Sequence, residues 1–347
     1  MPVALLGSAR SSLSSQSLCS KAIFVTIRRG YASSTKHPAP KRFRPIKGAA
    51  NLPQNITLPP SKEPAVNPPA STLPPLLDLV ERRPDQSATS YYIYIGKSYI
   101  NFYRTALRAV WVNSKEARAA ISARKFRGRP PYIDELRTGL LTRAEFQFIA
   151  RTSKDFWKLP LVGILVTLCG EFTPLLVVFV SGIIPRAAWI PKQVHRARVN
   201  TEKRREESFR QGTIENDIEL KRISAQDGVE GLSPAQILHI SRALGLHSTL
   251  WEKLWDRPPQ WIARMKARRA LDYLQADDFG IHRDGGVQAL SDVEIERACE
   301  ERGFDVLKYD IKTLRSRLEL YMKFRMEKKI STAAMVLVRP SSWEKLV

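Results

Sequence analysis

Cysteine is scarce in this chain of 347 residues, which contains only three. Cys19, Cys169 and Cys299 are scattered, and no disulfide framework or zinc site can be built from their spacing. We interpret them as small apolar residues. A disulfide-stapled scaffold and a cysteine-rich metal domain are therefore excluded.

The sequence also lacks the short motifs of common enzymes. It has no glycine-rich phosphate loop, no nucleophile elbow and no metal-ligand pair. The histidines after the N-terminal region show no metal-ligand spacing and are interpreted as ordinary surface or core residues: His195, His239, His247 and His282. We expect no enzymatic activity, no bound metal and no cofactor.

Acidic residues are absent from residues 1–62, which contain ten Lys and Arg. The net charge of the whole chain is +22. The first residues are also rich in serine, a composition typical of mitochondrial presequences. Arg29 lies two residues before Tyr31, as at a matrix-protease cleavage site. The sequence predicts a presequence over residues 1–31, the alternative being a disordered basic tail.

Proline is concentrated in residues 36–75, a composition that favours an extended linker over a packed core. We predict a disordered linker over residues 32–90. Apolar and aromatic residues recur at helical spacing from residue 91 to 126. Thr142 and Glu145 then form a capping-box pattern that predicts a second helix. Residues 91–158 are therefore predicted as amphipathic helices leading to the next segment.

One long apolar stretch occurs, over residues 159–184, and Glu171 is its only charge. About 20 apolar residues suffice to cross a ~30 Å hydrocarbon core, so the stretch predicts a single transmembrane helix. Glu171 would lie roughly 18 Å from the start of such a helix. A charge at that depth costs at least ~3 kcal/mol. Pro174, one turn later, removes a backbone hydrogen bond beside the carboxyl group.

Glu171 has three interpretations. It is a protonatable site in cation/proton exchange, a neutral carboxyl that holds an oligomer or another membrane protein by a hydrogen bond, or a residue nearer the interface. One helix per chain encloses no pore, so transport would require an oligomer. We expect a homo-oligomer or a partner membrane protein, together with inner-membrane lipid.

The rest of the chain reads as helical. A charged connector is predicted over residues 185–230, a helical domain over residues 231–330 and a tail over residues 331–347. Helix starts are indicated by Ser233, by a capping box at Ser291 and Glu294, and by Asp310. The predicted fold class is all-α, with a single transmembrane helix, preceding amphipathic helices and a C-terminal soluble helical domain.

Two features of the helical domain suggest partners. Three tryptophans lie within eleven residues, at 251, 255 and 261, and core packing is the preferred interpretation for them. Two predicted helices carry basic side chains that would contact phosphate: Arg257, Arg264, Lys266, Arg268, Arg269, Arg315, Arg317, Lys323 and Arg325. A solvated charged face is the alternative. We expect no DNA binding.

Four segments resemble a known family. Residues 141–160, LTRAEFQFIARTSKDFWKLP, are similar to the entry of the membrane helix in the LETM family, the mitochondrial inner-membrane proteins of the leucine-zipper/EF-hand transmembrane type. Pro160, Glu171 and Pro185 match the proline-bounded helix of that family. Residues 232–246, 274–278 and 290–303 resemble its ribosome-binding-like domain. No EF-hand loop follows residue 330, so the chain resembles a short member.

This resemblance implies a single-pass protein of the mitochondrial inner membrane with its C-terminal domain in the matrix. It implies binding of the mitochondrial ribosome, with a role in membrane protein insertion, respiratory-chain biogenesis and mitochondrial ion homeostasis. The alternative is a K⁺/H⁺ or Ca²⁺/H⁺ exchanger that uses Glu171 in an oligomer.

Overall fold

The computed structural model describes residues 65–77, 87–126, 131–170, 182–212, 214 and 217–346, with side chains to residue 343. These ranges contain helices and turns and no strand, which confirms the all-α prediction. The predicted presequence lies outside the described residues. So does the part of the predicted membrane helix that includes Glu171 and Pro174.

Twelve α-helices occur within the described ranges. We number them α1 (Ala88–Arg124), α2 (Ile133–Arg137), α3 (Arg143–Phe156), α4 (Leu159–Cys169), α5 (Pro191–Arg210), α6 (Asp217–Ala225), α7 (Pro234–Ala243), α8 (Thr249–Trp255), α9 (Gln260–Arg283), α10 (Asp292–Glu301), α11 (Ile311–Met326) and α12 (Thr332–Leu337).

Several helix starts form as their sequences predict. The Thr142 side chain accepts a hydrogen bond from the Glu145 backbone and completes a capping box with it, which starts α3. Ser233 starts α7 in the same way. The Asp310 carboxylate accepts from the Thr313 backbone and starts α11. These short-range signals are enough to fix the starts of three helices.

The predicted capping box at Ser291 and Glu294 is wrong. Ser291 makes no side-chain cap, and its backbone N–H donates to Asn67 Oδ1 at 2.9 Å. The Glu294 carboxylate is turned away and accepts two hydrogen bonds from Arg151, at 2.7 and 2.8 Å. A long-range ion pair has displaced the local motif because charge-assisted hydrogen bonds are the stronger ones.

Residues 65–77, which we call the strap, lie inside the predicted disordered linker but are packed. Val66 is fully buried in the main core. Asn67 donates to Ala289 O at 2.8 Å, and Ala65 O accepts from Ala144 N at 2.9 Å. Asn113 of α1 donates to Ser71 O at 2.9 Å. The strap therefore connects α1, α3 and the loop before α10.

The segment predicted as a tail contributes to the main core. The side chains of α12 are buried, and Trp343 is also buried. The Trp343 ring packs between aromatic side chains of neighbouring elements, Phe304, Tyr321 and Phe324. The helical domain therefore extends beyond residue 330.

No helix in the described part of the chain is both long and apolar enough to cross a membrane. α4 covers the first part of the predicted transmembrane helix and ends at Cys169. Lys158 Nζ, just before α4, donates to Ile184 O at 3.0 Å, which joins the two ends of the apolar stretch. A continuous helix over residues 159–184 is not shown by the described residues, and the single-pass topology stays a prediction.

Candidate functional site

Two of the nine predicted phosphate-contacting cations point into the protein. The Arg325 side chain is 4 % exposed and donates to Asp278 Oδ2 at 3.1 Å. Arg315 donates to the carbonyl oxygen of Leu290 and to Asp292 Oδ1, at 3.2 and 2.9 Å. Both side chains hold the fold together, so neither is available to a partner.

Three more of these cations are partly occupied. Arg264 donates to Leu232 O at 3.3 Å, and Lys266 donates to Leu246 O at 3.0 Å. The Arg317 guanidinium lies 3.5 Å from the centre of the Tyr309 ring. These contacts neutralise little charge, but they fix the three side chains against the surface.

The remaining candidates, Arg257, Arg268, Arg269 and Lys323, are exposed. Arg268 forms an exposed ion pair with Glu230 at 3.2 Å, which contributes at most about 1 kcal/mol. Three of the four lie at the start of α9 or just before it. The basic surface is therefore centred on the α8–α9 junction.

The prediction that the three tryptophans pack in the core is wrong for two of them. Trp255 is 64 % exposed and Trp261 is 70 % exposed, whereas Trp251 is half-buried and contacts the Trp255 ring. Other large apolar side chains on α8 and α9 are exposed beside them. We call this set the tryptophan face, and it comprises Leu250, Leu254, Trp255, Trp261 and Met265.

Helical geometry places apolar and basic residues on one side of α9. Trp261, Met265 and Arg269 recur at four-residue spacing, so they share a face of that helix. Arg257 lies in the turn that joins α8 to α9. Exposed tryptophan beside arginine is the composition of binding hot spots, in which an aromatic anchor is desolvated on contact.

Helix α8, which carries half of the tryptophan face, is held by one carboxylate. Glu252 Oε1 accepts from Arg242 Nε at 2.9 Å and from Arg204 Nη2 at 3.2 Å. Burial alone would raise the pKa of Glu252, but these hydrogen bonds hold that pKa below its usual value. The charged Glu252 therefore fixes α8 against α5 and α7 and leaves its tryptophans outward.

A second polar site is fully buried between α3, α9 and α10. Arg302 Nη2 lies 2.9 Å from Asp277 Oδ2 and 2.6 Å from Asp278 Oδ1. Arg143 Nε donates to Asp277 Oδ1 at 2.8 Å. Arg151 continues the network to Glu294. We call this set, with Arg325, the arginine–carboxylate network.

The neighbouring arginines keep two carboxyl groups of this network, Asp277 and Glu294, ionised. Burial alone would raise the pKa of Asp277, but the guanidiniums of Arg143 and Arg302 hold it well below its usual range. The pKa of Glu294 is lowered too, because Arg151 outweighs the effect of burial. A buried network of this kind holds α3 in place on the helical domain.

The sequence analysis did not identify the arginines of this network. Asp277 and Asp278 entered that analysis only as part of residues 274–278, one of the segments that resemble the family. Their adjacency in the middle of a helix was the available signal, because two neighbouring buried carboxylates require cationic partners. Which arginines supply the charge depends on contacts between residues more than 130 positions apart, such as Arg143 and Asp277.

Glu171 and Pro174 lie outside the described residues, so their predicted roles stay predictions. Within the part of the chain that the structure describes, no group of three or more His, Cys, Asp or Glu side chains is arranged to hold a metal ion.

Comparison with known proteins gives one match. Residues 208–342 match the family model described as LETM1-like, RBD. The matched region contains α6 to α12, the tryptophan face and most of the arginine–carboxylate network, and it includes the segment predicted as a tail. Searches of curated proteins and of solved structures found no match.

Proposed function

We propose that the protein binds the mitochondrial ribosome, because residues 208–342 match the family model described as LETM1-like, RBD. The domain acts in the matrix, next to an inner membrane in which the apolar stretch is embedded. Holding a ribosome there supports insertion of newly made membrane proteins and assembly of the respiratory chain, with ion homeostasis as a consequence. The family match is the observation that carries this proposal.

The tryptophan face and the cations around it are the surface that we assign to ribosome contact. Arg257 and Arg269 attract the polyanionic ribosome over several ångströms, and this attraction weakens as salt is added. Trp255 and Trp261 supply apolar area that is released from water on docking. Cations thus determine the rate of encounter, and the tryptophans determine how long the complex lasts.

The decisive experiment measures co-sedimentation of the full-length protein, in detergent micelles, with purified mitochondrial ribosomes. A Trp255→Ala/Trp261→Ala variant should bind at least about 30-fold more weakly, because each anchor contributes on the order of 2 kcal/mol. An Arg257→Glu/Arg269→Glu variant should bind more weakly at low salt. The salt dependence of its remaining affinity should also be smaller than that of the wild type.

The matched control is Lys221→Glu, which reverses an exposed charge on α6 that is not part of this face. It should bind like the wild type. Absence of co-sedimentation for the wild-type protein at low salt would contradict the proposed function. Equal binding by wild type and tryptophan variant would leave the function standing and remove this surface from it.

A further inference from the structure

The two ends of the apolar stretch meet at one place in the structure. Besides the hydrogen bond from Lys158 to Ile184, the Asp155 carboxylate at the end of α3 accepts two backbone hydrogen bonds. Arg186 N donates to Asp155 Oδ1 at 2.8 Å, and Ala187 N donates to Asp155 Oδ2 at 3.2 Å. The residues just before the stretch are thus fastened to those just after it.

A continuous helix would not allow this meeting. At 1.5 Å per residue, a straight helix from residue 159 to residue 184 would separate its ends by roughly 37 Å. The soluble regions before and after the stretch are also joined, since Arg143 and Arg151 of α3 pair with Asp277 and Glu294. Both flanks of the stretch therefore lie on the same side of any bilayer that it enters.

Helix α4 has the length of a half-helix. Its eleven residues extend about 16 Å, roughly half of a ~30 Å hydrocarbon core. Gly170 ends it with φ of 52° and ψ of −127°, a conformation that side-chain-bearing residues rarely adopt. The helix exposes a series of large apolar side chains along its length: Leu161, Ile164, Val166 and Leu168.

The N-terminal half of α1 lies beside this half-helix. Leu165 of α4 packs on the cluster that contains Phe102 and Tyr103 of α1 and Ile184 after the stretch. The part of α1 that precedes this cluster runs back to residue 88, and it exposes Ile93 and Ile100. Apolar surface without a protein partner in the described part of the chain therefore continues from α4 onto α1.

Interface-type side chains surround the point where the stretch begins and ends. Trp157 is exposed directly before α4, and Trp189 Nε1 donates to Ile184 O at 3.2 Å. The Lys158 ammonium lies 5.9 Å from the centre of the Trp189 ring. Tryptophan and lysine are enriched where a protein passes from water into lipid, so this level corresponds to the bilayer surface.

We propose a re-entrant topology: α4 inserts about halfway into the bilayer, with the start of α1 beside it, and both flanks of the stretch lie on the side where α4 begins. The occupant of the exposed apolar surface is lipid. We call this surface the lipid face, and it comprises Ile93, Ile100, Leu161, Ile164 and Leu168. The proposal rests on the membrane association in the proposed function and is an alternative to the single-pass topology predicted from the sequence.

The test compares two exposed sites, one on each side of the stretch in sequence. Thr138→Cys and Lys328→Cys are introduced separately into the full chain with Cys19→Ser and Cys169→Ser. Cys299 is retained because it is buried. Mitoplasts are treated with a membrane-impermeant maleimide, before and after the inner membrane is permeabilised. Both sites should be protected before permeabilisation and labelled to the same extent after it.

Labelling of one site and protection of the other in intact mitoplasts would overturn the re-entrant topology. Labelling of both sites before permeabilisation would keep that topology and contradict the matrix location in the proposed function. The two ideas therefore fail in distinguishable ways.

A second measurement tests insertion itself. Spin labels at Leu161 and Leu168 are compared in liposomes by their accessibility to oxygen and to a water-soluble nickel complex. The label at Leu168 should lie about 10 Å deeper, since seven helical residues separate the two positions. Equal, water-like accessibility at both positions would overturn the proposal.

Discussion

At the scale of single residues, the most consequential side chain is Arg302. Its guanidinium is fully buried and pairs with two carboxylates, while its Nη1 donates to Ala298 O at 3.0 Å. Burial alone would lower the pKa of Arg302, but Asp278 and Asp277 raise it well above its usual value. The folded protein therefore holds Arg302 in its charged form.

Arg302→Met should therefore lower the free energy of unfolding by about 3–5 kcal/mol, because it leaves two buried carboxylates with less compensating charge. Urea denaturation in micelles, followed by circular dichroism, measures the loss. Arg269→Met removes an exposed arginine of the same size and should change stability by less than about 0.5 kcal/mol. Similar values for the two variants would contradict the role that we give to the network.

His239 predicts how stability depends on pH. It is buried, its Nδ1 lies 2.8 Å from Ser208 Oγ, and burial lowers its pKa to about 4 from the ordinary value of 6.5. The neutral ring is favoured in the folded state. The contribution of His239 to the free energy of unfolding is therefore fully present above pH 6.5 and is lost as the pH falls from 6.5 toward 4.

Between pH 7 and pH 5 this one group should lower the free energy of unfolding by about 2 kcal/mol. The His239→Gln variant should lack that share of the pH dependence, and the remainder comes from other groups such as His247, whose pKa burial also lowers. His195→Gln, at an exposed position, should retain the wild-type profile. Parallel profiles for wild type and His239→Gln would show that the ring is not held neutral.

At the scale of helices and segments, we expect Trp343 to contribute to the stability of the fold and Trp261 to contribute to ribosome binding. Trp343 is buried, and its Nε1 donates to Met335 O and Val338 O at 3.3 and 3.2 Å. Trp343→Ala should cost about 3–5 kcal/mol of stability because it leaves a cavity among aromatic rings. Trp261→Ala should change stability little, since its ring is mostly in water.

The two variants are compared by thermal melting of the full chain. Trp343→Ala should melt at a much lower temperature, whereas Trp261→Ala should melt close to the wild type and lose ribosome affinity. If Trp343→Ala melted like the wild type, residues 331–343 would be dispensable for the fold, as the tail interpretation holds.

Elements differed in how well their sequences predicted them. The starts of α3, α7 and α11 follow from short motifs because the hydrogen bonds of a cap join residues three positions apart. The motif at Ser291 failed because Asn67 and Arg151 compete for its groups from far along the chain. Proline content indicated a linker at residues 65–77, yet the strap is held by the buried Val66 side chain, by the Asn67 side chain and by backbone carbonyl groups, and composition reports none of these contacts.

At the scale of the molecule, helical class followed from periodicity, whereas the arrangement of the helices did not. Hydrophobic length predicted a single span at residues 159–184, but length alone does not distinguish a crossing from a return. The contacts of Asp155 and Lys158, on which the proposed re-entrant topology rests, depend on tertiary packing. The tryptophans at 255 and 261 were assigned to the core for a similar reason, since composition does not report which side of a helix lacks a neighbour.

The arginine–carboxylate network also determines when the protein can finish folding. Arg143 precedes Asp277 by 134 residues and Glu294 by 151 residues. If the predicted presequence directs import with the N-terminus first, Arg143 reaches the matrix before Asp277 and Glu294 do. Until those two residues arrive, α3 has none of its acidic partners, and the apolar stretch arrives before any of them. The stretch must be shielded from water before the soluble helices on either side of it are able to close.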